Sequence, residues 1–177
     1  NAFAAIIGNG SVVTWGNGSY GGNSSAVAGS LTSNVTAIYS TASAFAALKN
    51  DGSVVTWGDA TAGGNSSVVA GNLASNIKAI YANPSAFAAI KGDGSVITWG
   101  SALYGGNSSA TAGSLTSNIM AISSNIGAFA ALKSDGSVVT WGSTLYGGDS
   151  SSVAGNLASN VKSIYSNLKL EQTIVEK

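Results

Sequence analysis

The hexamer SVVTWG stands at Ser11–Gly16, Ser53–Gly58 and Ser137–Gly142, and as SVITWG at Ser95–Gly100. Its tryptophans, Trp15, Trp57, Trp99 and Trp141, each follow the last by 42 residues. Aligned on them, the whole chain falls into register. A phenylalanine precedes each by 12 residues, at Phe3, Phe45, Phe87 and Phe129. A glycine pair follows at Gly21–Gly22, Gly63–Gly64, Gly105–Gly106 and Gly147–Gly148. Next come Asn23, Asn65, Asn107 and Asp149, each before two serines; then Leu31, Leu73, Leu115 and Leu157; then Ile38, Ile80, Ile122 and Ile164. Four copies run on with no insertion or deletion.

Each copy reads as β structure. AFAALK (Ala44–Lys49) is a short apolar run, and SVVTW follows it after Asn50, Asp51 and Gly52. Asp51–Gly52, Asp93–Gly94 and Asp135–Gly136, with Asn9–Gly10 in the first copy, signal two-residue type I′ hairpins, whose central residues both need positive φ. IKAIY (Ile77–Tyr81) is a third strand, joined to the next AFAAI through a turn at ANPS. A three-stranded antiparallel meander follows. The roughly 18 residues between the tryptophan and the third strand are too many for a bare loop. NSSVVAGNL (Asn65–Leu73) opens on an N-cap type of residue and spaces Val69 and Leu73 as a one- or two-turn helix would, although Gly71 weighs against it. The expected fold is mainly β: tandem 42-residue meanders over residues 1–166, as a β-propeller or an open propeller-like array.

A strict repeat answers a packing need. Phe45 and Ala47 lie on one side of their strand, and Ala46 and Leu48 on the other. Both sides are apolar, so a neighbouring repeat must cover each. Trp, Phe, Ile and Leu therefore read as core filler, with alanines letting the sheets approach closely. The competing reading makes the tryptophans surface platforms for sugars, and exposure decides between them.

The ends of the repeat are complementary. The first copy begins at its AFAAI strand without a preceding AIY strand, and the last supplies one in VKSIYS, Val161–Ser166. In a ring that strand completes the first meander. In an open array it pairs with another molecule, because an uncovered repeat exposes apolar surface and a strand edge. After Asn167 the register breaks, and Glu171 holds the phenylalanine slot. The segment 167–177 is a charged tail, read as a cap, the start of a further region or a donated strand.

Composition narrows the functions. Of 177 residues only 8% are charged, with seven lysines, no arginine, no histidine, no cysteine and zero net charge. Nucleic-acid binding needs a cationic surface, which is missing. No apolar run is long enough for a spanning helix. Histidine catalysis and His or Cys metal sites are ruled out by absence, and no cofactor is expected. AFAAII after Asn1 is too short for a signal peptide and lacks a basic flank, so the chain reads as a processed or truncated piece.

The pattern carried by Ala46–Lys49, Asp51–Gly52, Val54, Trp57–Gly58 and Gly63–Gly64, and by its equivalents, resembles the repeats of the regulator of chromosome condensation family. It is similar too to the propeller β-lactamase inhibitory protein of that superfamily. The resemblance covers about residues 1–166 and is most specific in the DG-S-V-x-x-WG core. It implies a β-propeller, or a piece of one, and protein–protein interaction as the general role. The family's usual histidine before the AL strand is Ala-Phe here, its GQLG ending is GGNSS, and its seven blades are four copies. Nucleotide-exchange activity does not carry over.

The remaining candidates are surface features. The Asp-Gly aspartates read as turn chemistry. The serine pairs lack a histidine base. Sequons at Asn9, Asn17, Asn23, Asn34, Asn65 and Asn107 are either chance products of polar turns or glycosylation sites. The loops at Asn17–Ser25 and its equivalents present Tyr20, Tyr104 and Tyr146, with Ala62 breaking the set. The expected function is a non-catalytic, secreted or surface scaffold in adhesion or fibre assembly, through self-association or another protein. The alternative is a soluble propeller module binding a protein or glycan.

Overall fold

The structure is a computed structural model and describes residues 1–167. The expectations for the tail beyond Asn167 lie outside the described residues. Among the described residues eleven strands form: β1 (Ala2–Ile6), β2 (Val12–Gly16), β3 (Val35–Ser40), β4 (Ala44–Lys49), β5 (Val54–Gly58), β6 (Ile77–Ala82), β7 (Ala86–Lys91), β8 (Val96–Gly100), β9 (Ile119–Ser124), β10 (Ala128–Lys133) and β11 (Val138–Gly142). They make three antiparallel meanders, β3-β4-β5, β6-β7-β8 and β9-β10-β11, and a two-stranded sheet, β1-β2. The leading strands β3, β6 and β9 neighbour one another, so the sheets stand side by side like blades.

Register explains the conserved aromatic spacing. Phe3, Phe45, Phe87 and Phe129 lie directly opposite Trp15, Trp57, Trp99 and Trp141. The rings of each pair stack, with centroids 5.3 Å apart in three copies and 5.0 Å in the Phe87–Trp99 pair. A cross-strand aromatic pair adds stabilisation beyond its buried area.

The core lies between sheets, as two-sided apolar strands require. Ala44, Ala46 and Leu48 of one sheet pack with Leu73, Ile77, Ile80, Phe87, Ala89 and Trp99 of the next repeat. Ala86, Ala88, Ile90 and Val96 repeat that contact with Leu115, Ile119, Phe129 and Trp141. Ala47 faces the other way, with Trp57, Leu31 and Val35. Trp57, Trp99 and Trp141 are buried, which removes the sugar-platform reading for these three.

The first copy departs from that pattern. Phe3 is 61% and Trp15 51% exposed, because no repeat covers their side of β1-β2. Among the described residues no strand of the fourth repeat pairs with the first. The last third strand is also a correction: residues 161–166 form no strand ladder. Their entry is nevertheless that of a third strand. Val161 N–H donates to Gly136 O at 2.9 Å, as Val35 does to Gly10, Ile77 to Gly52 and Ile119 to Gly94.

The hairpins differ from expectation in turn type. Positive φ occurs at Gly10, Gly52, Gly94 and Gly136 but at none of the residues before them. Gly52 N–H donates to Lys49 O and Lys49 N–H to Ser53 O. This is a three-residue loop, a turn followed by a left-handed glycine, rather than type I′. Its reason is packing: the glycine backs onto a second left-handed residue, Asn76, whose backbone N would lie 2.7 Å from a Cβ at Gly52. Asn34, Asn76, Asn118 and Asn160 all hold φ of 64–67°. Asparagine is among the few side chains that adopt this region readily.

The expected helix is a short 3-10 segment, at Ser25–Leu31, Ser67–Val69, Ser109–Leu115 and Ser151–Leu157. Asn65 does not cap it as expected. Its Oδ1 accepts from Ser67 N–H at 2.9 Å, an Asx turn one residue ahead of the helix N-cap, Ser66. A glycine at position 71 or its equivalents, and β-branched neighbours, suit short 3-10 turns better than an α-helix.

Candidate binding edge

One edge of the array is built by the segment after each tryptophan strand. Gly58, at φ 105°, turns the chain out of β5. Asp59 then caps a 3-10 turn at Ala60–Ala62, its carboxylate accepting from Thr61 N–H at 2.7 Å and Thr61 Oγ1 at 2.6 Å. Those two bonds, the hydroxyl first, hold the Asp59 carboxyl below its ordinary range. Equivalent turns stand at Gly18–Tyr20, Ala102–Tyr104 and Thr144–Tyr146.

The glycine pair locks this turn to two neighbours. Gly63 ends it at φ 101°, and a Cβ there would lie 2.6 Å from Cδ2 of Phe87 in the next repeat. Its carbonyl accepts the Trp99 indole N–H at 3.2 Å. The same bond joins Trp57 to Gly21 and Trp141 to Gly105. Gly64 lies against the carbonyl of Gly58, where a Cβ would collide. Behind the pair, Thr56 Oγ1 donates to Gly64 O and bonds Ser66 Oγ. The same threonine–serine bond recurs at Thr14, Thr98 and Thr140.

Along this fixed edge the repeats differ at every position of the turn, and two adjacent positions carry the large side chains. The first carries Tyr20, Ala62, Tyr104 and Tyr146. Tyr20 and Tyr146 are exposed, Tyr104 is half-buried, and Ala62 is buried. Tyr104 and Tyr146 flank Gly127, where a Cβ would lie within 3 Å of both rings. Their carbonyls accept from Asn83 Nδ2 and Asn125 Nδ2, each at 2.7 Å. The tyrosines are thus partly packing residues. The residue before them carries the stronger signal. It is Ser19, Thr61, Leu103 and Leu145, and the two leucines are 76% and 87% exposed. Sequence reading missed them, although a polar position turning apolar in two adjacent copies was visible.

The sequon asparagines are all exposed. Five of them, Asn9, Asn17, Asn23, Asn65 and Asn107, accept from the backbone N–H two residues on, each at 2.9 Å. Asp149 makes the same bond in the fourth copy. Asn34 is instead the left-handed residue before β3. The hairpin aspartates also serve turns: Asp51 accepts from Ser53 N–H and Oγ, as Asp93 and Asp135 do from Ser95 and Ser137. No cluster of three acidic residues suited to a metal occurs among the described residues. Among them, too, no helix is long and apolar enough to cross a membrane.

No family profile matches the sequence, and no curated protein matches it. Solved structures do. The chain is 16% identical to human WBSCR16, over 80% of this chain and 45% of that one, with a TM-score of 0.49. It is 16% identical to Prp20p of Saccharomyces cerevisiae, whose structure was described with its binding to Gsp1p and histones, over 80% of this chain and 43% of that one, at TM-score 0.51. The computationally designed Ika8 protein is 17% identical over 80% of this chain and 43% of its own, at 0.40. The chain spans under half the length of each of these three structures. The class is set by fold: the repeats are propeller-type β meanders, like those of Prp20p, a propeller of the regulator of chromosome condensation type.

Proposed function

We propose that this chain is a non-catalytic repeat scaffold that binds a protein partner along its glycine-pair edge. One observation carries the reading. Leu103 and Leu145 stand exposed at a position where Ser19 and Thr61 serve the same turn equally well. Packing therefore does not require the leucines there, and large apolar side chains on a rigid turn suit a partner's apolar segment. Exposed Tyr146 adds an aromatic contact of the kind that anchors interfaces. A protein partner agrees with what Prp20p, of like fold, is described as binding.

The test is photo-crosslinking from position 103 or 145, with positions 19 and 61 as controls. The reading expects one crosslinked protein from 103 and 145, lost in a Leu103→Ser/Leu145→Thr variant that remains folded. Equal labelling from all four positions would remove it. Secretion or surface display, suggested by the scarcity of charge, is a separate part of the proposal; fractionation of the producing cells tests it.

A further inference from the structure

The two outer faces of the array are the two halves of one contact that the chain already makes internally. In each internal junction a stacked Phe–Trp pair covers the glycine that ends the preceding repeat's turn. Phe45 lies over Gly21, Phe87 over Gly63 and Phe129 over Gly105; a Cβ on these glycines would approach the ring to 2.6–2.7 Å. The paired indole donates to the carbonyl of that same glycine at 3.0–3.2 Å. At one end of the molecule, Phe3 and Trp15 are stacked identically but exposed. Among the described residues the Trp15 indole has no acceptor. At the other end Gly147 is left-handed at φ 86°, as its equivalents are, and no described residue lies within 4 Å of its Cβ position. Gly147 and Ile164 line a groove of about 270 Å³ beside Phe129, Ala128 and Tyr146.

Strand edges complement each other in the same way. β1 pairs only with β2, whereas β4, β7 and β10 each pair on both edges. Residues 161–166 start as the other leading strands do and accept one bond from Ser123 Oγ at Ile164 O, 3.1 Å away, but among the described residues they join no strand ladder. Tyr165 is 90% exposed.

We propose that these faces dock head to tail between two copies of this chain. Phe3 and Trp15 of one copy seat on Gly147 of the other, with the Trp15 indole donating to Gly147 O. Residues 161–166 add to β1 as its missing strand. The internal register of β3 on β4 pairs Ala37 with Leu48, Ile38 with Ala47 and Tyr39 with Ala46. Carried over by the repeat, it places Ser163 opposite Ile6, Ile164 opposite Ala5 and Tyr165 opposite Ala4. Thr41 N–H donates to Ala44 O, so alternate pairs bond and Tyr39–Ala46 is one of them. Tyr165 N–H is then a donor to Ala4 O. Such a contact is heterologous, and it either closes a ring or extends a filament. The inference rests on observations other than the exposed leucines, although Tyr146 borders both surfaces.

The test uses the 177-residue chain in sedimentation and light scattering, with Trp15 emission as a local probe. Association to two copies or more, with Trp15 emission shifting to the blue as concentration rises, is the expected result. Gly147→Ala, whose methyl meets no described residue of its own copy but is strained at φ 86° and would meet the docked Phe3, and Trp15→Ser each abolish it. Tyr165→Pro removes the strand donor without touching any ladder of the monomer and gives the same loss, which guards against misfolding in Gly147→Ala. Mixing Gly147→Ala with Trp15→Ser restores one sound contact and yields a dimer that grows no further. The proposal is overturned by a monomer at hundreds of micromolar, by association that the three variants leave intact, or by a mixture that stays monomeric.

Discussion

The indole N–H of Trp99 donates to the carbonyl of Gly63, 3.2 Å away and 36 residues earlier. The same glycine leaves room on its α-carbon for Phe87, the strand partner of Trp99. One residue without a side chain therefore receives both members of an aromatic pair. This is why the glycine pair recurs as strictly as the tryptophan. Each repeat fixes its neighbour by a directional bond and a shape match, and burying these two rings contributes on the order of 2–3 kcal/mol apiece.

Replacing Gly63 with alanine should be strongly destabilising. Alanine at φ 101° is strained by about 1–2 kcal/mol. The new methyl would also meet Phe87, which is wholly buried and has nowhere to move, adding roughly 1–3 kcal/mol of overpacking. Gly71→Ala is the control. Nothing lies within 4 Å of its Cβ position and its φ is not positive, so stability should hold or rise slightly. Urea unfolding followed by tryptophan emission gives both values.

Asn83 is the only asparagine among the described residues that is fully buried, and it closes three bonds at one junction. Its Nδ2 donates to Tyr104 O, and its Oδ1 accepts from Ser85 N–H and Ala86 N–H. Asn83→Ala would orphan these groups and should cost about 2–4 kcal/mol. The first full junction has Thr41 in this place. Its hydroxyl accepts from Ser43 N–H and Ala44 N–H but sends no donor to residue 62. Thr41→Asn should supply that donor to the Ala62 carbonyl and raise stability by roughly 0.5–1 kcal/mol. A rise in the urea midpoint without a change in slope is the expected reading.

The repeat made most of the fold legible. Strand identity followed from two-sided apolar runs and Asp-Gly punctuation, and the inter-repeat core from the need to cover both faces of AFAAL. Turn geometry was less legible, because Asp51–Gly52 fits a two-residue loop and a three-residue loop equally well. What decides it is Asn76, 24 residues away, lying against Gly52. Exposure of Trp15 escaped any column-wise reading, since its letters match those of buried Trp57. The leucine edge was open to view in the Ser19, Thr61, Leu103, Leu145 column. Attention to what the copies share hid where they differ.

Thr56 tests the support behind the edge. Its hydroxyl bonds both Gly64 O and Ser66 Oγ, tying the glycine pair to the segment that follows. Thr56→Val keeps the shape and removes both bonds. The expected cost is about 1–2 kcal/mol, since the carbonyl and the serine are only half-buried and water replaces part of what is lost. Hydrogen exchange should quicken around Gly63 and Gly64 but not at β4, which a wholesale loosening of the repeat would also affect.

The hairpin aspartates give the acid limb of stability its sign. Asp51, Asp93 and Asp135 are held below their ordinary pKa by the Ser53, Ser95 and Ser137 hydroxyls first, then by the backbone N–H groups of the same serines. A carboxyl whose folded pKa lies below its unfolded value stabilises at pH above the unfolded value, near 3.9, and loses that contribution as pH falls through the folded one. The urea midpoint should therefore be level at neutral pH and decline below about pH 4. All three groups are at the surface, so the decline is shallow. A triple Asp→Asn variant keeps the backbone acceptor, as Asn9 shows by accepting from Ser11 N–H at 2.9 Å, but has no proton to gain. It should begin slightly less stable at neutral pH and show a flatter acid limb. Asp59 and Asp149, which are depressed in the same direction, account for what slope remains.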